Sequence, residues 1–150
     1  MTNFVDVETD QEIAGKKHFS DTIIGNNISV LNNFSGGKDS IANGENSFSF
    51  GISALADNDY SFAEGYQVSA VGQRSHAEGS KTLAEGSKTH AEGGGTEAIL
   101  DMAHAEGERT HALGRASHTE GKSTYAYMYS HAEGSETSAG YDVEIANAKI

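Results

Sequence analysis

The chain has 150 residues with no Cys, Pro or Trp, 18 Gly and a formal net charge of -12. Without Cys there is no disulfide framework and no thiolate-ligated metal, and the excess of carboxylates argues against nucleic acid or an anionic membrane as main partner, since both demand clustered positive charge. Large apolar residues are too scarce for a thick hydrophobic core, and no stretch approaches the roughly 18 apolar residues of a membrane span.

From the N-terminus, "MTNFVDVETD" carries neither the basic end nor the apolar run of a secretory signal. The expectation is therefore a soluble, acidic protein made in the cytoplasm. Residues 1–32 read as an attachment and trimerisation lead-in, with strands in the apolar "TIIGNNISVL". From residue 33 to residue 141 a repeat takes over. Gly recurs every seven residues at Gly37, Gly44, Gly51, Gly65, Gly72, Gly79, Gly86, Gly93, Gly107, Gly114 and Gly121. Asn58 and Leu100 interrupt the series, and Asn tolerates the left-handed backbone that Gly adopts. After Gly121 the register slips by one residue and Gly134 resumes it. Two positions before each anchor, from Ser35 to Ala139, sixteen slots hold thirteen Ala, two Ser and one Thr. Four before, Ser and Thr dominate, as at Ser61, Ser75, Thr82, Thr89, Thr110, Ser117 and Thr124. Small residues alternating with larger ones have the period of a strand. Each seven-residue unit is thus expected to be a short strand and a Gly turn, with Ala, Ser and Thr inside a narrow two-stranded solenoid.

The slot three before the anchor doubles the period to fourteen. One series runs Phe34, Phe48, Phe62, His76, His90, His104, His118 and His131, and the slot beside it runs Phe50, Glu64, Glu78, Glu92, Glu106, Glu120 and Glu133. The other series, Ile41, Leu55, Ser69, Leu83, Glu97, His111, Tyr125 and Ser138, has no uniform character. One face is therefore a ladder of rings beside a ladder of carboxylates, and the other an ordinary variable surface. A two-stranded coil around Ala buries too little to be stable alone. Parallel copies about a three-fold axis would bring like rungs together, making the ring and carboxylate residues a homotrimer interface, with the chains intertwined or side by side. Hydrogen bonds from His to Glu between chains are expected there. They would favour charged His and postpone acid melting until Glu protonates. The seven to eight coils, about 4.8 Å each, give a length on the order of 35–40 Å. "GGGTEAILDMA", residues 93–103, is expected to bulge where the anchor Gly is lost, and "YDVEIANAKI" alternates like a final strand, capping the stack over residues 142–150.

Other chemistries fit less well. "GKS" at residues 121–123 lacks the Gly of a phosphate loop, having Ala116 instead. "GGGTEAILD" is a poor calcium nonapeptide. Ser, His and Glu adjoin on every coil, as at Ser75, His76 and Glu78, whereas catalysis needs one preorganised site. Three His meeting on an axis can ligate a transition metal, but each rung has a Glu to satisfy its His, so neither a metal nor a cofactor is assigned. Tyr125, Tyr127 and Tyr129 cluster in "STYAYMYS" where the register slips, and are candidate glycan contacts.

The Ser/Thr-x-Ala-x-Gly pattern at seven-residue spacing resembles the head repeats of YadA-type trimeric autotransporter adhesins. That resemblance implies an all-β, left-handed parallel β-roll that trimerises. This sequence has His and Glu where that family usually has Val and Ile beside the Ala. The "SHAEGS" wording looks more like phage tail-fibre and appendage proteins that use the same roll. "TDQEIAGKKHFSD", residues 9–21, resembles a unit common in phage tail fibres. Together these imply a non-enzymatic virion protein. Its partners would be other tail or baseplate proteins, through the N-terminal region, and host glycan. A cell-surface adhesin head is the alternative. An enzyme of the left-handed-helix acyltransferase kind is remote, because that fold repeats every six residues around aliphatic side chains.

Overall fold

The structure is a computed structural model and describes residues 32–140. The segment at residues 9–21, the remainder of the lead-in before Asn32 and the capping strand expected over residues 142–150 lie outside the described residues.

The chain winds as a parallel β-solenoid of about eight coils, alternating between two eight-stranded sheets. One sheet holds the longer strands Phe34–Lys38, Phe48–Ile52, Phe62–Tyr66, His76–Ser80, His90–Gly94 and His104–Glu108, then the short His118–Thr119 and His131–Ala132. The other holds two-residue strands only: Ile41–Ala42, Leu55–Ala56, Ser69–Ala70, Leu83–Ala84, Glu97–Ala98, His111–Ala112, Tyr125–Ala126 and Ser138–Ala139. Like slots pair directly, Phe48 with Phe62, His76 with His90 and Ala84 with Ala98. The fourteen-residue period is thus the pitch of the coil. It shortens at the end, where His118 pairs with His131 and Tyr125 with Ser138. The missing residue comes out of the turn Tyr127–Ser130, closed by the Ser130 amide and hydroxyl donating to the Tyr127 carbonyl.

The core is what the small-residue slots predict. Ala56, Ala63, Ala70, Ala77, Ala84, Ala91, Ala98, Ala105 and Ala112 are fully buried, and the largest fully buried side chain is Val68. A methyl removes little apolar area from water, so the fold leans on its backbone ladders. The buried hydroxyls form two columns with different fates. Ser47, Ser61, Ser75, Thr89 and Ser117 each donate to the carbonyl three residues back. Thr82, Thr96, Thr110 and Thr124 are buried with no partner for Oγ1. Val68 sits in that second column fourteen residues before Thr82. An unpaired buried hydroxyl is destabilising relative to a methyl. Thr96→Val is therefore expected to stabilise the fold by about 1 kcal/mol, read as a higher midpoint in urea with an unchanged slope.

Three expectations about the backbone need correction. The anchor Gly does not serve one purpose. In the ring-bearing sheet it lies inside the strand or just beyond it with φ between 101° and 135° from Gly37 to Gly134. In the other half-coil Gly44, Gly72, Gly86 and Gly114 are not left-handed; a Cβ on Gly72 would lie 1.8 Å from the Gly86 carbonyl oxygen, so close stacking demands Gly there. Asn58 is accordingly not left-handed either. The left-handed residue comes two places after the anchor, at Asn46, Tyr60, Arg74, Lys88 and Met102 on one edge, and at Ser53, Gln67, Lys81 and Arg109 on the other. Finally, residues 93–103 do not bulge. His90–Gly94 and His104–Glu108 pair in register throughout. The Leu100 slot needs no special φ, and the Asp101 carboxylate holds the turn by accepting from the Ser87 amide at 3.0 Å.

Candidate interface on the ring-bearing sheet

Parallel in-register pairing stacks one side chain of each coil on the next, and the ring slot becomes a continuous column. Phe34 stacks on Phe48 at 5.1 Å between ring centroids and Phe48 on Phe62 at 4.8 Å. Phe62 meets His76 edge to face at 4.7 Å. From His76 onward the imidazoles are nearly coplanar stacks at 4.6, 4.8, 4.7 and 4.5 Å, through His90, His104 and His118 to His131. The rings are half-buried as far as His118, and His131 is exposed. Two residues on, on the same face, run Phe50, Glu64, Glu78, Glu92, Glu106, Glu120 and Glu133. Phe50, Ile52 and Tyr66 remain 47%, 46% and 47% exposed, so the early coils present apolar surface where the later ones present Glu in the slot of Phe50 and Ser80, Gly94 and Glu108 in that of Ile52 and Tyr66.

Within a single chain the electrostatics of this face are those of a half-buried ring stack beside carboxylates. Within one chain His76, His90 and His104 hold Nε2 at 3.3, 3.6 and 3.6 Å from Oε2 of Glu78, Glu92 and Glu106. These are near approaches without hydrogen-bond geometry: the same Nε2 atoms, and that of His118, are shielded from water and have no hydrogen-bond partner. Within the chain, charge on His90, His104 and His118 is not favoured. Burial first, and then the neighbouring imidazoles, push His90, His104 and His118 below 6.5, against the opposing pull of the carboxylates. Stacking puts each ring against another of the same potential charge, and desolvation outweighs an attraction that reaches a carboxylate through partly solvated space.

A hydrogen-bonded His–Glu pair does occur, on the opposite sheet. His111 Nδ1 lies 3.0 Å from Glu97 Oε2, one coil below it, and its ring stacks on Tyr125 at 4.8 Å. Sequence spacing marks this face only as variable surface. The available signal is that Glu97, His111 and Tyr125 occupy one slot at successive coils. Among the three tyrosines of the slip region, Tyr125 lies on that same sheet and is exposed, Tyr127 is half-buried beside the turn, and Tyr129 is 68% exposed at the turn itself with φ 56°.

A solenoid of fourteen-residue coils with small core residues and one ordered aromatic and acidic face is the class of structure in hand. The family model of the YadA head domain repeat matches it in two copies at residues 42–67, across coils that carry Phe48, Phe50 and Phe62. The repeat over residues 42–67 is thus YadA head-like. No curated protein matches the chain by sequence.

Proposed function

We propose that this chain is a non-enzymatic structural protein that trimerises through the ring-bearing sheet and forms the shaft of a phage tail fibre or appendage. The observation that carries the reading is the unbroken column of eight rings, stacked except where Phe62 meets His76 edge to face, flanked by exposed Phe50, Ile52 and Tyr66, on a solenoid whose core is mainly alanine. Such a core leaves much of the stabilisation to be found between chains. The exposed apolar start of the column is the kind of surface that marks an interface. The match to the YadA head repeat supports a trimeric, adhesin-like body. The resemblance of residues 9–21 to a tail-fibre unit favours a virion, with attachment to tail or baseplate proteins through the N-terminal region. Tyr125, Tyr127 and Tyr129 are then the surface that would meet a host glycan.

Light scattering tests the assembly. A mass of three times 15.8 kDa is expected for the chain. Phe50→Glu places a charge in the apolar start of the interface and is expected to lower the mass toward that of one chain, with a weaker β-signature in circular dichroism because the separated coil buries little. A wild-type monomer would overturn the trimer. Immunogold microscopy of producing cells separates the two biological settings. Label on tail appendages of particles supports the virion reading, and label on the cell surface alone supports an adhesin head.

A further inference from the structure

We propose that His104, Glu106 and His118 form a site for one borderline divalent cation of the zinc class, held within a single chain and bridging two successive coils. His104 and His118 stack at 4.7 Å with their planes 3° apart, one ring directly over the other on successive coils. One ligand atom from each of the three residues lies within 4.8 Å of the others. Both Nε2 atoms are shielded from water and lack a hydrogen-bond partner, although Glu106 Oε2 is 3.6 Å from His104 Nε2. A buried nitrogen with nothing to bind is costly. A cation satisfies both nitrogens at once, with each imidazole keeping its proton on Nδ1.

The chemistry of the set fits. Two imidazoles and a carboxylate are the donors of zinc sites that keep a fourth position open. Zinc at about 2.0–2.2 Å from each donor requires donors about 3.4 Å apart. Closing the set from within 4.8 Å to that spacing calls for a tilt of the rings and a rotation of the Glu106 side chain. The carboxylate offsets part of the ion's charge. Within one chain, among the described residues, no Glu of this column hydrogen-bonds His104 or His118 Nε2. A second grouping, His118, Glu120 and His131, shares His118 and therefore competes for it. It ends on exposed His131. The site with two shielded, unpartnered nitrogens is the one assigned. An ion there ties adjacent coils together, and binding only the folded state raises its stability.

Isothermal titration of Zn2+ alone into the chelator-stripped full chain tests the site at neutral pH. About one ion per chain is expected. His104→Phe keeps a ring in the column, as at Phe62, while removing the ligand. That variant and Glu106→Gln are each expected to weaken binding at least about tenfold, and His111→Phe, on the opposite sheet, to leave it unchanged. Zn2+ should raise the melting temperature of wild type and not of His104→Phe. Absence of binding to wild type would overturn the proposal, as would equal binding by His104→Phe, loss confined to His131→Phe, or Ca2+ binding as tightly as Zn2+. If His104→Phe does not fold, Co2+ added to wild type decides: an intense tetrahedral visible spectrum supports the site, and the weak spectrum of octahedral hydrated cobalt overturns it.

Discussion

Gly65→Ala is expected to destabilise the chain by at least about 3 kcal/mol, whereas Gly94→Ala, at the end of a strand two coils further on, is expected to be neutral or stabilising by up to about 1 kcal/mol. A Cβ on Gly65 would stand 2.0 Å from the carbonyl oxygen and 2.9 Å from the carbonyl carbon of Gly79, and the φ of Gly65 is 135°. The obstacle is the backbone of the next coil and cannot rotate aside. Relief requires Phe62–Tyr66 to part from His76–Ser80, which breaks the ladder between them. Each coil of a solenoid touches only its neighbours, so one such opening divides the stack. Gly94 has nothing within 4 Å of the place a methyl would take, and its φ is not positive. Urea unfolding of both variants beside wild type checks the contrast. An unchanged midpoint for Gly65→Ala would mean that the coils do not approach as closely as the glycine column indicates.

The same column shows where sequence reasoning reaches and where it stops. Thirteen Ala in one slot announce a thin core because only small side chains fit between two sheets that face each other so closely. The pairing of Phe48 with Phe62 and of His76 with His90 follows from the fourteen-residue spacing alone, since parallel strands in register superpose equal slots. The purpose of each Gly does not follow. Gly65 and Gly72 look alike in sequence, yet one is left-handed and the other only crowded. The left-handed positions escape notice because they carry Tyr60, Arg74, Lys88 and Met102, residues with no turn signature. Ladders on both sides impose that geometry, so composition does not record it.

The ring and carboxylate face is legible as a face, because a spacing of two keeps His76 and Glu78 on one side of a strand. Whether the two side chains hydrogen-bond is not. The outcome depends on rotamers and on how strongly a stack of imidazoles resists charge, neither of which is a matter of spacing. The pair that does bond, His111 with Glu97, lies a full coil apart and is hidden in a slot whose adjoining members are Leu83 and Tyr125.

Acidification from about pH 8 to about pH 5 is expected to destabilise the folded chain progressively once the pH falls below about 6.5. Burial is the main cause that holds His90, His104 and His118 below 6.5 in the folded state. Each also feels an adjoining imidazole, His76 beside His90, His90 beside His104, and His104 and His131 about His118. Glu78, Glu92, Glu106 and Glu120 pull the other way and do not prevail. Above pH 6.5 these histidines are neutral in both states and their contribution is complete. Below it, the unfolded chain takes up protons at the ordinary value while the column resists, so the unfolded state binds more protons and stability falls with pH. The loss runs from 6.5 down through the depressed folded values. Phenylalanine stacks in this column without a proton to gain, as Phe48 does on Phe62. The double variant His90→Phe, His104→Phe is therefore expected to flatten the dependence of the melting temperature on pH while keeping the column intact. Measured with chelator present, so that no cation contributes, a flat wild-type profile over this range would show that the histidine column is not what acid attacks. A variant as acid-sensitive as wild type would assign the loss to other groups.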